Sequence, residues 1–306
     1  AIKEQFHVSY LTVQRAFNRM IACGFVDSIP SKGTFVSERQ PHLRRFALVF
    51  PPLPTKDAGF QNRFYEALIA AASIISDGNT TFEVYKNVDN RESREDYPRL
   101  LRDVEHKSLA GMIFPFDPWP LMETPVLSSG IPYAAVMSGR EKPDCLADGR
   151  HGFSLFMKTA VGHLADAGCR KIACLAHIGL DASNLAIMLR NELESRELQF
   201  KEEWLQAGTI GMAEWNRRLI RILFPESRAS NPDGLIILDD NVAWSVFGEI
   251  VRMGIKVPGK LKIVSHCNYP FDDKPPFPVD FLGYDIVRML SDCVERLRNP
   301  PGRKDR

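Results

Sequence analysis

Asp233-Gly234-Leu235-Ile236-Ile237-Leu238-Asp239-Asp240 holds four branched aliphatic residues behind a glycine, between acids. A run this short and this apolar reads as a strand buried on both faces, the pattern of a parallel sheet. Helical spacing follows over 242–253, then Met253-Gly254-Ile255-Lys256-Val257-Pro258, then a second apolar strand from Leu261 to Ser265. Strand, helix and strand in about thirty residues form one βαβ unit, and its strands are parallel because the helix carries the chain back.

Working outward, the same texture covers the chain from residue 46 onward. Strands are expected at Phe46–Phe50, Phe82–Tyr85, Ala110–Phe114, Tyr133–Met137 and Lys171–Ala176. Between them Phe64, Leu68, Ala71 and Ile75 recur at helical spacing, as do Tyr97, Leu101 and Val104. Further helices are expected at 151–167, 184–196, 212–223 and 284–298, with the Pro-rich stretch 270–278 as a loop. So many units exceed one core, so the expectation is an α/β fold of two lobes with parallel sheets. Lobe one takes about 46–167 and 279–300, and lobe two about 168–278.

Residues 1–37 have another texture. In Phe6-His7-Val8-Ser9-Tyr10-Leu11-Thr12-Val13-Gln14-Arg15-Ala16-Phe17, Ser9 is placed to cap a helix whose inner stripe is Val13, Ala16, Phe17 and Met20. Gly24 supplies the stop. Phe25-Val26 and Thr34-Phe35-Val36 then flank Ser28–Gly33, which reads as a two-stranded wing with a Lys32-Gly33 tip. Tyr10, Leu11, Gln14 and Arg15 are left on the outer side, the geometry by which a recognition helix presents its N-terminal residues to base edges. Any small helical hairpin followed by a β-ribbon shares this outline.

Charge agrees with the division. The chain has 306 residues and a net charge of +1, with 44% hydrophobic and 25% charged residues, so its overall balance indicates no partner. Residues 1–45, however, carry seven Lys or Arg against three acids, leaving the remainder mildly acidic. A small basic head on an acidic body suits a nucleic-acid-binding module. Six scattered cysteines without a C-x-x-C pair fit reduced thiols of a cytoplasmic protein. No apolar run is long enough to cross a bilayer and no signal peptide is visible, so no membrane partner is expected. Because the first residue is Ala1 and little precedes the turn, the head reads as a trimmed module.

The head resembles the winged helix of the GntR family on Val8-Ser9, Thr12-Val13, Arg15-Ala16, Gly24-Phe25-Val26 and Lys32-Gly33-Thr34-Phe35-Val36. The resemblance covers about 36 residues and implies DNA contacts from Ser9, Tyr10, Thr12, Gln14 and Arg15, with Lys32, Gly33 and Thr34 on the wing. Tyr10 and Gln14 stand where the family usually or often has Arg, so the base sequence read is its own. From Phe46 the chain resembles the effector domain of the LacI family, which is similar to periplasmic sugar-binding proteins. That rests on Ala147-Asp148-Gly149, His163-Leu164-Ala165-Asp166-Ala167-Gly168, the strand from Lys171, Asp233–Asp240, and Met253–Pro258 with Leu261–Val264. The combined arrangement is similar to that of arabinose-repressor-type regulators. It implies a winged helix over 1–37, a linker over 38–45 and an effector domain over 46–306.

Ligands of open α/β sheets bind beyond the carboxyl ends of the strands. Asp239, Asp240, Cys267 and Asn268 fall at such ends and Asp148 in an inter-lobe loop, and carboxylates and amides grip hydroxyls through several hydrogen bonds. The resemblance places Phe60, Asp148, Asp239, Cys267 and Asn268 at ligand-contacting positions. The family's ligand-gripping Arg falls near Leu185, so the two acids are expected to stand without an arginine and to favour a donor-rich ligand, a polyol or amino sugar, over a sugar acid. The plain alternative for each acid is a helix cap or a solvated loop residue.

Three further patterns point elsewhere. Gly254–Lys260 has the spacing of a phosphate loop, yet Leu261 replaces the Ser or Thr, and the order is helix to strand. Cys169, Cys174 and His177 look zinc-like, but alternation along a strand sends the last two to opposite faces. Asp239-Asp240 lacks a nucleophile and a base beside it. The expected function is therefore a non-enzymatic, ligand-responsive repressor without cofactor or metal, its partners being double-stranded operator DNA, a sugar-like effector and a second copy of itself. A sugar-binding protein without a DNA role is the alternative.

Overall fold

The computed structural model describes residues 2–38, 40–53, 62–91, 96–137, 149–177, 182–225, 231–270 and 274–299. The chain divides into two compact units. One comprises Ala1–Pro52, Leu68–Leu146 and Val287–Arg306, the other Leu53–Ala67 and Ala147–Ile286.

The first unit begins with α1 (Ile2–Gln5) and α2 (Tyr10–Ala22). Ser9 caps α2, its Oγ accepting the Thr12 N–H at 3.1 Å. Cys23 closes the helix, and Gly24 takes a φ of +78°, where a side chain would be strained. β1 (Val26–Ile29) and β2 (Gly33–Val36) pair antiparallel from Val26↔Val36 to Ile29↔Gly33. The strands therefore run closer to the tip than the sequence suggests: Gly33 is paired, and Pro30–Lys32 make the turn. The one-turn helix α3 (Pro41–Arg44), with proline in its first turn, leads into β3 (Arg45–Val49).

Then come α4 (Arg63–Ile75), whose residues up to Ala67 belong to the second unit, and β4 (Thr81–Tyr85), α5 (Asp96–Glu105), β5 (Gly111–Phe114), α6 (Pro125–Ser128) and β6 (Tyr133–Ala135). The sheet is parallel in the order β4-β3-β5-β6. Its β3 and β5 residues Ala47, Val49, Met112 and Phe114 bury against Tyr97, Leu100 and Val104 of α5. At the foot of β3, Arg45 donates to both oxygens of Asp103, which also accepts the buried Tyr85 hydroxyl at 2.5 Å.

The second unit runs α7 (Gly149–Asp166), β7 (Ile172–His177), α8 (Ala182–Glu194), β8 (Leu205–Gly208), α9 (Ala213–Leu223), β9 (Gly234–Ile237), α10 (Asp240–Arg252), β10 (Lys262–Tyr269) and β11 (Asp280–Asp285). The closing helix α11 (Ile286–Arg298) belongs almost wholly to the first unit. All five strands are parallel in the order β11-β10-β9-β7-β8. Alternation decides which helix each side chain meets. Ala173, Leu175, Leu235, Ile237 and Ile263 face α9 and α10, whereas Ile172, Cys174, Ala176, Ile236 and Val264 face α7 and α8.

The expected α/β class with parallel sheets is therefore the observed one. Strands β8 and β11 are additional to the expected set, and both lie at sheet edges. The chain divides at 52/53, 67/68, 146/147 and 286/287, the last two standing where the sequence suggests 167/168 and 278/279. The reason is α7, whose Met157, Ala160, Val161 and Leu164 are buried on the second sheet. Cys169 and Cys174, two residues of the zinc-like pattern, are buried in that same core. Among the described residues no helix is long and apolar enough to cross a membrane, and no three His, Cys, Asp or Glu side chains cluster as metal ligands.

Candidate functional site

The strand order of the second unit reverses between β7 and β9, and open α/β sheets generally bind ligands beyond the carboxyl ends of the strands at such a switch point. Asp239 and Asp240 follow β9 at this point and begin α10. Asp239 is half-buried and is the N-cap, its Oδ1 accepting the Asn241 N–H at 2.8 Å and the Asn241 amide at 2.7 Å. The capping role that the sequence leaves open for it is real.

Asp240 is different in kind. It is 3% exposed, and Asn268 on β10 donates to it from both backbone and side chain: N–H to Oδ2 at 3.1 Å, and Nδ2 to Oδ1 and Oδ2 at 3.2 and 3.0 Å. Asn268 is itself buried. Arg63, at the start of α4, brings its Nε to 3.5 Å from Asp240 Oδ2, and its backbone N–H donates to Asn241 Oδ1 at 2.9 Å. The expectation of acids without an arginine is thus corrected. Leu185 does take up a core position, but the cation arrives from the start of another helix.

His266 completes the cluster. It lies two residues before Asn268 on β10, so alternation puts both side chains on one face. Its ring sits between Phe156 and Tyr284, with centroids 5.7 and 5.4 Å away, and its Nδ1 is 4.0 Å from Asp240 Oδ1. Burial pulls His266 down from 6.5 to about 4, so the imidazole is neutral at physiological pH and the approach is no ion pair. Burial, then the charge of Asp239, pushes Asp240 up from 3.8 to about 6 against the opposing pull of Arg63 and Asn268. One carboxyl here is poised near neutrality beside a permanent cation and a neutral imidazole.

Cys267 is buried, with Gly283 as its Cα partner across the ladder, and alternation sends it away from the Asn268 face. Of the expected ligand residues, the structure therefore gathers Asp239 and Asn268 around Asp240 and leaves Cys267 apart. Phe60 and Asp148 lie outside the described residues. Spacing does not reveal Arg63 or His266. His266 follows directly on the apolar stretch that ends at Ser265, and that position is the one signal the sequence offers for it.

In the first unit, Tyr10, Thr12, Gln14 and Arg15 are all exposed along α2, and Lys32, Gly33 and Thr34 are exposed at the hairpin end. Ser9 and Thr12 are joined through their hydroxyls at 2.9 Å, which fixes the first turn beneath Tyr10. The inner residues Val13, Phe17 and Met20 are half-buried, while Ala16, expected among them, is exposed.

The sequence model of the periplasmic binding protein-like domain matches residues 161–305. No curated protein matches the chain. Among solved structures, a transcription regulator from Lactobacillus plantarum is 15% identical with a TM-score of 0.58, over 84% of this chain and 90% of that one. A LacI family transcriptional regulator from Lactobacillus casei with bound sucrose is 16% identical with a TM-score of 0.61, over 86% and 95%. A regulatory protein of the LacI family from Chloroflexus aggregans is 19% identical with a TM-score of 0.59, over 84% and 92%. At such identities the likeness is one of fold.

Proposed function

We propose that the chain is a ligand-responsive transcription regulator: a GntR-type winged helix over 1–37 reads DNA, and the α/β units bind a sugar-like or polyol effector. The observation that carries the reading is the joining, on one chain, of two features. One is a capped helix with Tyr10, Gln14 and Arg15 exposed beside a Lys32-Gly33 hairpin; the other is a parallel sheet with a carboxylate–amide cluster at its switch point. Arg15 suits a base edge in the major groove and Lys32 with Gly33 the backbone or minor groove, because a flexible cationic tip follows phosphates. At the switch point Asp240 is held by Asn268 and approached by Arg63, an arrangement that suits gripping the polar groups of a ligand, so the reading is of a binding site.

For the effector, Asp239, Asp240 and Asn268 offer the paired acceptors and donors that hydroxyl groups use. Arg63 beside Asp240 removes the argument that a sugar acid must be repelled, so neutral and acidic sugars both belong in a ligand panel. The known sucrose complex belongs to the Lactobacillus casei regulator alone and supports the sugar class only by likeness of fold.

The working form is a cytoplasmic homodimer. Trp215 and Ile222 on α9 and Trp244 and Val251 on α10 are 43–58% exposed, and large apolar side chains in such numbers favour burial against a second copy. Two copies on a two-fold axis read a palindrome far better than one. The test is selection of DNA from a random pool by the full chain, followed by gel shift. Enrichment of a palindromic sequence supports the reading. Binding of sugars with no DNA enrichment at low salt supports a sugar-binding protein without a DNA role instead.

A further inference from the structure

The end of α2 packs on the end of α5 through a thiol and an imidazole. Cys23 Sγ lies 3.5 Å from His106 Nδ1, and both residues are half-buried. Beside them opens a hollow of about 360 Å³ lined by Ala16, Arg19, Met20, Phe25 and Glu105 together with the pair itself. Its walls are largely apolar, with the guanidinium of Arg19 and the carboxylate of Glu105 as the charged groups among them. The four other described cysteines, Cys169, Cys174, Cys267 and Cys293, are buried. Cys23 alone among the described thiols therefore combines access, a base within reach and a space for a reagent. The end of a helix opposes negative charge, so a thiolate here depends on neighbouring cations. Arg19 supplies one, and His106 becomes another as it takes up the thiol proton.

We propose that Cys23 is a covalent modification site for small apolar electrophiles of the enone class. The thiol proton passes to His106 Nδ1 and sulfur attacks the β-carbon, forming the C–S bond. The C=C pair shifts towards the carbonyl, whose developing negative charge faces Arg19. The enolate then takes the proton back from His106 at its α-carbon, so the adduct forms without oxidant or leaving group. The apolar walls select a hydrocarbon-bodied reagent, and peroxide, small and polar, gains nothing from them. This inference stands apart from the DNA and sugar reading, because it concerns only the reactivity of one thiol.

The test is peptide mapping by mass spectrometry of the full chain treated with limiting 2-cyclohexenone. Mapping also separates Cys23 from Cys145, which lies outside the described residues. The expected result is that Cys23 reacts at least about tenfold faster than a synthetic peptide of residues 17–27, which carries Cys23 without His106. In His106→Gln the rate at Cys23 should fall by a similar factor. A Cys23 rate within about twofold of the peptide's, or unchanged in a folded His106→Gln chain, overturns the proposal. Should that variant not fold, the comparison of wild type with peptide decides alone.

Discussion

Replacing Asp240 by Asn and, separately, His266 by Gln should tilt the pH dependence of stability in opposite directions. Asp240 is raised from 3.8 to about 6 in the folded chain, chiefly by burial. Between those values the folded state holds a proton that the unfolded state has released. Stability from this group therefore falls as pH rises, by about 1.4 kcal/mol per unit and roughly 3 kcal/mol across the window. His266 is lowered from 6.5 to about 4, also by burial. Here the unfolded state binds the proton and the folded state does not, so stability is lost as pH falls through the window, again by roughly 3 kcal/mol. In the wild type the two slopes nearly cancel between about pH 4 and pH 6. Asp240→Asn removes the first, so its stability relative to wild type should climb by roughly 3 kcal/mol between about pH 4 and pH 6.5. His266→Gln should decline by a similar amount over the same range, and the double variant should stay nearly level. Urea unfolding of the full chain at four pH values measures all three differences, and charges elsewhere cancel in each. Difference curves that run parallel, or that are flat for Asp240→Asn, would refute the assignment of a buried, proton-holding carboxyl.

Gly283→Ala should cost about 3 kcal/mol or prevent folding of the second unit, since a Cβ at 283 would overlap the Cys267 carbonyl across the β10–β11 ladder; thermal unfolding checks it. Arg15→Ala should weaken specific DNA binding by about 1–3 kcal/mol if the side chain reads a base, measured by anisotropy on the selected sequence; unchanged affinity in a folded dimer counts against the role. Trp244→Asp should shift the sedimentation profile from dimer towards monomer at micromolar concentration, and a wild type already monomeric there contradicts the self-association.

What could be read from sequence follows burial. Leu235 to Leu238 are all buried, so a bare apolar run suffices to mark β9. Strands β8 and β11 escape because they are edges: the first buries only Gly208, and the second buries none of its residues. A half-exposed strand shows neither an apolar run nor a clean alternation. The acids at the end of β9 are legible from position alone, because the end of a parallel strand is where loops gather. Their company is not. Arg63 reaches Asp240 across more than half the chain, and no spacing rule connects them. His266 is hidden for a local reason, since the apolar pattern of β10 stops at Ser265 while its ladder with β11 continues to Tyr269. The head shows the reverse case: its motif fixes the cap at Ser9 and the stop at Gly24, features set by neighbouring residues and not by distant packing.

The central claim is that one chain couples an effector to DNA, and linkage makes it directly measurable. Ligands found by thermal shift, which reports any tight binder through raised stability, are added at saturation to the full-length protein on its selected DNA. The account predicts a change in DNA affinity of fivefold or more, and an equal factor in ligand affinity when DNA is the added partner. Identical DNA affinity with and without a saturating ligand, or ligand binding by a chain that selects no DNA sequence, would contradict it.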